Sequence, residues 1–583
     1  MRSQERRGTM IIDWDVGVVM DDSVELRCDV FRPAAAGPCP AIVSYGPYGK
    51  GVAFEKGYPV PWALTRENNA GFEERSSNHL QNFEVVDPEV FVPEGYAVVR
   101  FDSRGAGRSQ GFLDPWSARE AHDIYAAVEW SAAQDWCNGR VGLSGTSYLA
   151  MNQWQAAALS PPHLAAICVW EGAVDIYRDM VRHGGILSEF GRIWYAAGVL
   201  PIQNGLGTRG RRSEFTGDWV SGPSTLSEAE LTSRRVDWYH ECRARRLVTD
   251  DYWQSRIPDP NDITVPMLVT ANWGGQGLHL RGSIEGFLHA ASAQKWLEIH
   301  CHNHWYEYYT EYGIDLQKRF FGHFLQGRDT GWLKEPKIRF QRRAPGQLLP
   351  RTAAAEWPLP NTTWTTLYLD AGDQRLTRSA PENAAKASFR GFSSGITFLT
   401  APLEHDCEIT GPLSAQLYVS AESTDADLFL VVRVFSPEMH EVTFQGHIDP
   451  HTPIAQGWLR LSHRRLDPAR SLPHRPFHTH DTPEPIEPGE IYQVAVEILP
   501  TCILVPAGYR IALSVRGRDY EHVSAAEHAD APERFRMTGV GQFRHQDPLD
   551  RPAEIFDQNV TLHTGGAYAA SLLVPIIDDQ TTF

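Results

Sequence analysis

Cysteine is scarce in this 583-residue chain, and long hydrophobic runs are missing. The eight cysteines are scattered without a Cys-x-x-Cys pair, so neither a disulfide scaffold nor a zinc ribbon is predicted. No run of about 20 apolar residues is present to form a membrane-spanning helix. The amino-terminal stretch MRSQERRGTMIIDWDVGVVMDD lacks the apolar core of a signal peptide. We therefore expect free thiols and a cytoplasmic protein.

Positive charge is also in short supply. The chain has 54 Lys and Arg residues against 72 Asp and Glu residues, a formal net charge of −18 at pH 7. Such a surface repels phosphate backbones and anionic lipids, and no Lys- or Arg-rich stripe offsets it. We expect neither nucleic acid nor a membrane as a partner.

The first third of the chain alternates strand and helix patterns. Apolar stretches such as PAIVSYGPYGKG and GYAVVRFDSRGAGRS are closed by Gly or Pro. Between them and HLAAICVWEG lies SAREAHDIYAAVEWSAA, an apolar helical stripe with a predicted capping box of Ser117 and Glu120. Strands that alternate with helices at this spacing predict an α/β fold with a mainly parallel sheet covered on both faces.

The pattern changes twice further along the chain. From about Asp175 to Pro260, Arg-, Trp- and Glu-rich helical stretches replace the strands, which then resume in VPMLVTANWGG and KWLEIHCHNHW. Beyond about residue 350, runs such as PLSAQLYVSA alternate with period two, which is typical of an all-β sandwich or jelly roll. We predict a core domain in two parts (1–174 and 261–350), an inserted helical cap (175–260) and a C-terminal, galactose-binding-like jelly roll (351–583).

Ser147 lies where a strand pattern meets a helix pattern, in GLSGTSYLA. The nucleophile of an α/β-hydrolase sits on a strained turn flanked by small residues, and Gly145 and Ala150 are such residues. The usual Gly-x-Ser-x-Gly pattern is incomplete because Leu149 occupies the last glycine position. Serine is also a favoured helix N-cap. The motif by itself therefore leaves two interpretations open, a nucleophile and a cap.

A serine nucleophile needs a general base, and in this fold the histidine comes last in chain order. EIHCHNHWYEYY offers His300, His302 and His304. Three histidines spaced two apart would share one face of a strand, where imidazoles could bind a metal. A strand is not expected to persist through Asn303, however, and no carboxylate or cysteine follows at a recognised spacing. We therefore predict no metal site.

Several of these segments together resemble the cocaine esterase/X-Pro dipeptidyl-peptidase (CocE/NonD) family of serine hydrolases. The core similarity lies in GTSYLAMNQWQAA, GFLDPWSAREAHDIYAAVEW, DWCNGRVG, SYGPYGKG and VDIYRD. LEHDCEITGPLSAQLYVSAESTDADLFLVV and PGEIYQVAVEILPTCILVPAGYRIALSV resemble the C-terminal jelly roll of that family. The resemblance covers nearly the entire chain. It implies an α/β-hydrolase core, ester or amide substrates and no cofactor.

The resemblance also implies roles for individual residues. Ser147 corresponds to the nucleophile, and His304 is the best match to the catalytic histidine. The Tyr148 backbone N–H and the Tyr48 hydroxyl would form the oxyanion hole, since two preorganised donors suit an oxygen that becomes negative only in the tetrahedral intermediate. Without the resemblance, Tyr48 would be interpreted as an aromatic residue of the turn after Gly46 and Pro47.

The catalytic aspartate of the family has no counterpart at its expected place. TANWGGQGLHL carries Gly274, Gly275 and Gln276 there. We predict that Glu171, at the end of the preceding core strand in CVWEG, replaces it, because some α/β-hydrolases keep their acid at that position. The alternative is a structural carboxylate that pairs with an arginine or caps the insertion. Asp175, four residues further on, is expected to be structural.

The sequence thus predicts a serine hydrolase that cleaves an ester or amide bond through a Ser147 acyl-enzyme, with an acyl esterase favoured. We expect a small-molecule substrate with a bulky, partly apolar acyl group and no cofactor or metal, and we leave a homodimer open. An X-Pro dipeptidyl-peptidase-like peptidase or amidase would need a carboxylate in the cap for a substrate ammonium, and Glu189, Glu228 and Glu230 are available. The sequence is also compatible with an acyltransferase and with a catalytically inactive carbohydrate- or ligand-binding protein.

Overall fold

The computed structural model describes residues 3–35, 37–67, 69, 71–528 and 530–577. Two large sheets organise the described chain. The strands up to residue 354 are, in chain order, β1 (Ser3–Arg7), β2 (Met10–Val19), β3 (Glu25–Pro33), β4 (Cys39–Gly46), β5 (Ala97–Asp102), β6 (Cys137–Thr146), β7 (Leu164–Trp170), β8 (Arg182–His183), β9 (Ile186–Leu187), β10 (Met267–Asn272), β11 (Lys295–His300), β12 (Ile338–Ala344) and β13 (Gln347–Ala354).

The first sheet has the spatial order β1-β2-β3-β5-β4-β6-β7-β10-β11-β12-β13. Its seven central strands, β5, β4, β6, β7, β10, β11 and β12, pair in parallel with their neighbours. Strands β1 to β3 and β13 are antiparallel additions at the edges. The central strands are buried on both faces, as in β10, where every residue is buried. The predicted α/β fold with a mainly parallel sheet is therefore confirmed.

Helices cover this sheet, and short helices occur in the segment between β7 and β10. The helices are α1 (Phe54–Gly57), α2 (Pro59–Arg66), α3 (Pro88–Phe91), α4 (Ala118–Ala132), α5 (Tyr148–Ala158), α6 (Phe190–Trp194), α7 (Glu228–Ser233), α8 (Trp238–Ala244), α9 (Asp251–Gln254), α10 (Leu280–His289), α11 (Glu311–Phe324) and, within the C-terminal domain, α12 (Ala553–Phe556). The segment predicted as a cap holds the short helices α6 to α9 and the hairpin of β8 and β9.

The capping box predicted for α4 is only half formed. The Ser117 hydroxyl caps the helix by accepting a hydrogen bond from the Glu120 backbone N–H. The Glu120 carboxylate instead accepts hydrogen bonds from the Trp116 backbone N–H at 2.8 Å and from the Tyr148 hydroxyl. Tertiary contacts to α5 therefore compete successfully with the local capping interaction.

The chain beyond residue 354 forms an all-β domain. Its strands are β14 (Thr362–Asp370), β15 (Arg375–Thr377), β16 (Ala385–Arg390), β17 (Ile396–Leu399), β18 (Cys407–Ala421), β19 (Asp427–Phe435), β20 (Glu441–Val442), β21 (Ala455–Arg460), β22 (Tyr492–Val505), β23 (Arg510–Arg516), β24 (Asn559–Thr564) and β25 (Ser571–Ile577). These strands form one sheet that closes on itself, because β25 pairs with both β14 and β18. The C-terminal domain is a β-barrel or sandwich around its own apolar core.

The all-β domain packs against the edge of the first sheet where the parallel strands end. Gln276, just after β10, donates hydrogen bonds to the carbonyl oxygens of Pro453 and Ile454. The His304 backbone N–H donates to the His447 carbonyl oxygen at 2.9 Å. This edge is where ligands bind in α/β proteins. Across the part of the chain that the structure describes, no helix combines the length and the apolar character needed to cross a bilayer.

Candidate active site

Ser147 occupies a strained turn between β6 and α5. Its backbone has φ 59° and ψ −117°, a positive-φ conformation that is rare for residues with a side chain. Its side chain makes no capping hydrogen bond to α5, and the residue is partly exposed while its neighbours Thr146 and Tyr148 are buried. The interpretation of Ser147 as an ordinary N-cap therefore has no support in the geometry. The turn instead presents the hydroxyl at the carboxyl edge of the sheet.

Small residues make this turn possible. A Cβ atom on Gly145 would lie 2.4 Å from the Leu149 Cβ, and one on Gly172 would lie 3.2 Å from the Ala150 Cβ. A Cβ on Gly46 would lie 3.1 Å from the Leu149 Cγ. The leucine at the last glycine position of the motif is therefore accommodated because the residues facing it are glycines.

Glu171 and His304 are in contact, as the sequence predicted for an acid and its base. The His304 Nδ1 lies 2.7 Å from the Glu171 Oε2, and both side chains are buried. The second carboxylate oxygen, Oε1, lies 2.8 Å from the His300 Nε2. Burial alone would raise the pKa of Glu171, but His304 and His300 hold it well below its usual range. Glu171 is therefore an anion whose two oxygens face two imidazoles.

Other acidic residues near the site have structural partners. Asp175, expected to be structural, accepts hydrogen bonds from the Arg178 backbone N–H and guanidinium. Gln276, at the place where the family aspartate is missing, binds carbonyl oxygens of the C-terminal domain. Of the three carboxylates considered for a substrate ammonium, Glu189 pairs with Arg192, Glu228 pairs with Arg209, and Glu230 forms the capping box of α7.

A second carboxylate, which sequence reasoning missed, faces the other nitrogen of His304. The Glu84 Oε1 lies 3.5 Å from the His304 Nε2 and accepts a hydrogen bond from the Trp305 Nε1–H at 2.9 Å. The Glu84 Oε2 is buried without a hydrogen-bond partner among the described residues. Glu84 lies on an irregular segment with φ 63°, and no motif in the sequence marks it.

The two carboxylates control the protonation of His304. Burial lowers the pKa of the imidazole, but Glu171 and then Glu84 outweigh this effect and raise the pKa to about 9. Because Nδ1 contacts Glu171, Nε2, which faces Glu84, is the nitrogen that a serine proton would have to reach. His304 can therefore act as a base only after it loses a proton that Glu84 and Glu171 both stabilise.

Tyr48 and Tyr148 lie together beside the turn, with ring centroids 6.1 Å apart. The Tyr48 hydroxyl oxygen accepts a hydrogen bond from the Trp194 Nε1–H at 3.1 Å, so its own proton is free to be donated. Burial, followed by the charge of Glu84, raises the pKa of Tyr48 well above its usual range. The Tyr148 N–H belongs to the first turn of α5, whose N–H groups have no partner within the helix. Both donors can thus stabilise an oxyanion.

The histidines of EIHCHNHW do not gather into the metal site considered from the sequence. His300 contacts Glu171, whereas the His302 Nε2 lies 3.6 Å from a carboxylate oxygen of Glu307. The structure instead brings His304 together with His279 and His447. Neither His279 nor His447 was a candidate from the sequence, because nothing in their local patterns indicates that they meet.

Comparisons with known proteins place this geometry in context. Residues 22–306 match the family model for X-Pro dipeptidyl-peptidase (S15 family), and residues 330–572 match that for the X-Pro dipeptidyl-peptidase C-terminal non-catalytic domain. Cocaine esterase from Rhodococcus sp. (strain MB1 Bresler) is 25% identical, with 98% of this chain and 99% of that protein covered. A putative Xaa-Pro dipeptidyl-peptidase from Streptomyces avermitilis is 21% identical, with 74% and 68% covered. The crystal structure of a CocE/NonD family hydrolase from Staphylococcus aureus has a TM-score of 0.83 and 32% identity, with 98% of this chain and 94% of that chain covered.

Proposed function

Because the chain belongs to the CocE/NonD family of hydrolases, as its sequence motifs predicted, we propose that it is an acyl esterase that works through Ser147. Membership of this family makes the protein a serine hydrolase that acts on ester or amide bonds. The observation that carries the proposal is the 2.7 Å contact of His304 with Glu171. Ser147, on its strained turn, donates its backbone N–H to the carbonyl oxygen of Trp170, the residue directly before Glu171.

The proposed reaction has two acyl-transfer steps. The Ser147 Oγ attacks the substrate carbonyl while the His304 Nε2 accepts the serine proton, and the Tyr48 hydroxyl and Tyr148 N–H stabilise the oxyanion. His304 then donates that proton to the leaving alcohol as the acyl-enzyme forms. Water attacks the acyl-enzyme with His304 again as base, which releases the acid and restores Ser147. Glu171 orients His304 and stabilises its charged form throughout.

Two features of the structure support further proposals, one about the fold of the C-terminal domain and one about the location of the protein. The closed, mainly antiparallel ladder of the C-terminal domain supports a jelly roll. None of the eight cysteines forms a disulfide in the described structure, which supports a location in the reducing cytoplasm.

A substrate panel tests the proposed activity. We expect the purified protein to hydrolyse p-nitrophenyl esters, with a preference set by acyl length, faster than aminoacyl-p-nitroanilides. A fluorophosphonate probe should label the protein once per chain and abolish turnover. A protein that binds the probe but hydrolyses none of the esters would contradict the esterase assignment.

A peptidase or amidase activity is the second candidate, favoured by Glu84. Its buried Oε2 has no partner in the described structure, and a substrate ammonium could neutralise it. Aminoacyl-p-nitroanilides turned over faster than esters of the same acyl group would favour this candidate. Loss of that preference in Glu84→Gln would identify the carboxylate that binds the amine.

The Tyr48 hydroxyl is expected to contribute to the oxyanion hole. Tyr48→Phe should lower kcat by about 10²- to 10³-fold with little change in substrate binding, because one donor to the transition state is lost. The measurement is steady-state kinetics on an ester whose chemical step is rate-limiting. Tyr58→Phe is a matched control, since the Tyr58 hydroxyl donates only to the Tyr48 carbonyl oxygen. If both variants keep kcat within a few-fold of the parent, Tyr48 has only a packing role.

The pH dependence of kcat/KM should reveal how the two carboxylates that face His304 change its pKa. Only neutral His304 accepts a proton. We therefore expect kcat/KM to increase with pH, with the midpoint of the increase near the His304 pKa of about 9. Glu84→Gln removes a charge that stabilises the imidazolium, and the rise should therefore move to lower pH. His279 and His447 also face His304, but they are unchanged in this variant.

Glu94→Gln is the control for the pH profile because Glu94 pairs with Lys318 on the surface. Its profile should coincide with that of the parent, since the partly exposed charge of Glu94 is screened by solvent and already paired with Lys318. A Glu84→Gln profile that is unchanged, or displaced to higher pH, would contradict the role assigned to Glu84.

A further inference from the structure

Three buried imidazoles meet around the proposed general base. The ring centroid of His304 lies 4.9 Å from that of His279 and 4.1 Å from that of His447, and the latter two are 5.8 Å apart. One nitrogen from each ring can be chosen so that all three lie within 4.8 Å of one another. His279 directly precedes α10, His304 follows β11, and His447 comes from the C-terminal domain between β20 and β21.

Three of the four ring nitrogens of His279 and His447 make no hydrogen bond of normal geometry in the described structure. His279 is fully buried, yet neither of its nitrogens makes a hydrogen bond of normal geometry within the described structure, and the buried His447 Nδ1 has no partner there either. Buried polar atoms without partners are costly and are rare in folded proteins. The proposed hydrolytic reaction assigns no role to either imidazole, so their unpaired nitrogens indicate a ligand that accepts lone pairs.

The chemistry of the trio suits a transition-metal ion. An imidazole nitrogen donates its lone pair to a transition metal, and His279 and His447 each offer a ring nitrogen without a hydrogen-bond partner in the described structure. Nε2 is the nitrogen of His304 that would bind the ion, and the Glu84 Oε1 lies 3.5 Å from it. The contact of Nδ1 with Glu171 would fix the tautomer and orientation of the liganding ring.

The spacing of the trio is close to that of a bound site. Zinc–nitrogen bonds of about 2.0–2.1 Å in a tetrahedron place ligand nitrogens about 3.4 Å apart. The three nitrogens, which lie within 4.8 Å of one another, therefore have to come closer. Because the ring centroids of His304 and His447 are already 4.1 Å apart, this requires rotation of the rings rather than a simple inward movement. His447 also lines a cavity with Gly274 and Phe543.

We propose that His279, His304 and His447 form an inhibitory site for Zn²⁺, an inference that rests on the proposed role of His304 as general base. Zinc would bind the lone pair of the His304 Nε2 and release the proton held there, and the base could then no longer accept a proton from Ser147. The C-terminal domain, through His447, would thus supply a ligand that controls the catalytic core.

The test measures zinc binding and inhibition separately. We expect isothermal titration of the full-length, metal-free protein with ZnCl₂ to show one site per chain, which is lost when either His279 or His447 is replaced by Ala while Ser147 is kept. Each replacement should weaken binding by at least about 10- to 100-fold, the range found even for residues that only support a metal ligand. His302→Gln is the matched control, because His302 lies in the same loop as His304 but outside the trio.

Inhibition is scored as the ratio of ester hydrolysis rates with and without zinc for each variant, so changes in basal rate do not matter. The parent and His302→Gln should be inhibited and should recover fully with EDTA, whereas His279→Ala and His447→Ala should resist inhibition.

Zinc binding that is unaffected by both replacements, or the absence of a stoichiometric site in the parent, would overturn the proposal. A protein that binds zinc at the trio but shows no esterase activity would instead contradict the proposed function, and activity that depends on zinc would contradict the serine mechanism.

Discussion

Replacing Ser147 with alanine is expected to lower kcat by about 10⁶-fold, the scale found when a triad serine is removed. The loss should be this large because the acyl-enzyme cannot form without the hydroxyl on the strained turn between β6 and α5. Steady-state hydrolysis of the best p-nitrophenyl ester measures the effect. Mass spectrometry after fluorophosphonate treatment of the parent should locate the adduct on Ser147.

Ser144→Ala is the matched control for this experiment. Ser144 lies in β6, three residues before Ser147, but its hydroxyl is buried and hydrogen-bonded to the Tyr308 hydroxyl at 3.0 Å. Its loss should cost about 1–3 kcal/mol of stability, because the Tyr308 hydroxyl loses its partner, and should leave kcat near the parental value. An adduct on another residue, or an active Ser147→Ala enzyme, would disprove the assignment of the nucleophile.

Glu171→Gln should be the second most damaging substitution, with a loss approaching about 10⁴-fold in kcat, as found for the equivalent acid-to-amide change in another triad. A glutamine amide can keep a hydrogen bond to the His304 Nδ1 only by favouring the wrong tautomer or the wrong rotamer. It also lacks the charge that stabilises the imidazolium. The same change weakens the contact with His300, which lies 2.8 Å from the other carboxylate oxygen.

Asp175→Asn separates the role of Glu171 from a general effect of lost negative charge. Asp175 is four residues away and binds Arg178, so its amide variant should keep most of the activity. Thermal unfolding of both variants should show that each is folded. If Glu171→Gln keeps a parental kcat/KM while Asp175→Asn is inactive, the acid has been misassigned, and if both are active, the enzyme works as a Ser-His dyad.

The features that could be predicted from the sequence depend on local patterns. Strand and helix periodicity predicted the parallel sheet, and the glycines around Ser147 predicted a tight strand-to-helix turn, because both are properties of residues near one another in the chain. Glu171 could be proposed as the acid from its position at the end of a core strand. The carboxyl ends of neighbouring parallel strands meet at one edge, and β7 and β11 are separated only by β10.

The surroundings of His304 were decided only by the tertiary structure. Glu84, His279 and His447 reach it from three distant parts of the chain, and one of them belongs to the other domain. No short pattern encodes these contacts, because they arise from the packing of an irregular loop, a helix start and a C-terminal segment against one buried ring. The sequence by itself therefore determined the family, the fold of the core and candidates for the reacting groups. The long-range packing alone determined the second carboxylate beside the base and the imidazoles around it, and so the electrostatic environment in which His304 must exchange its proton.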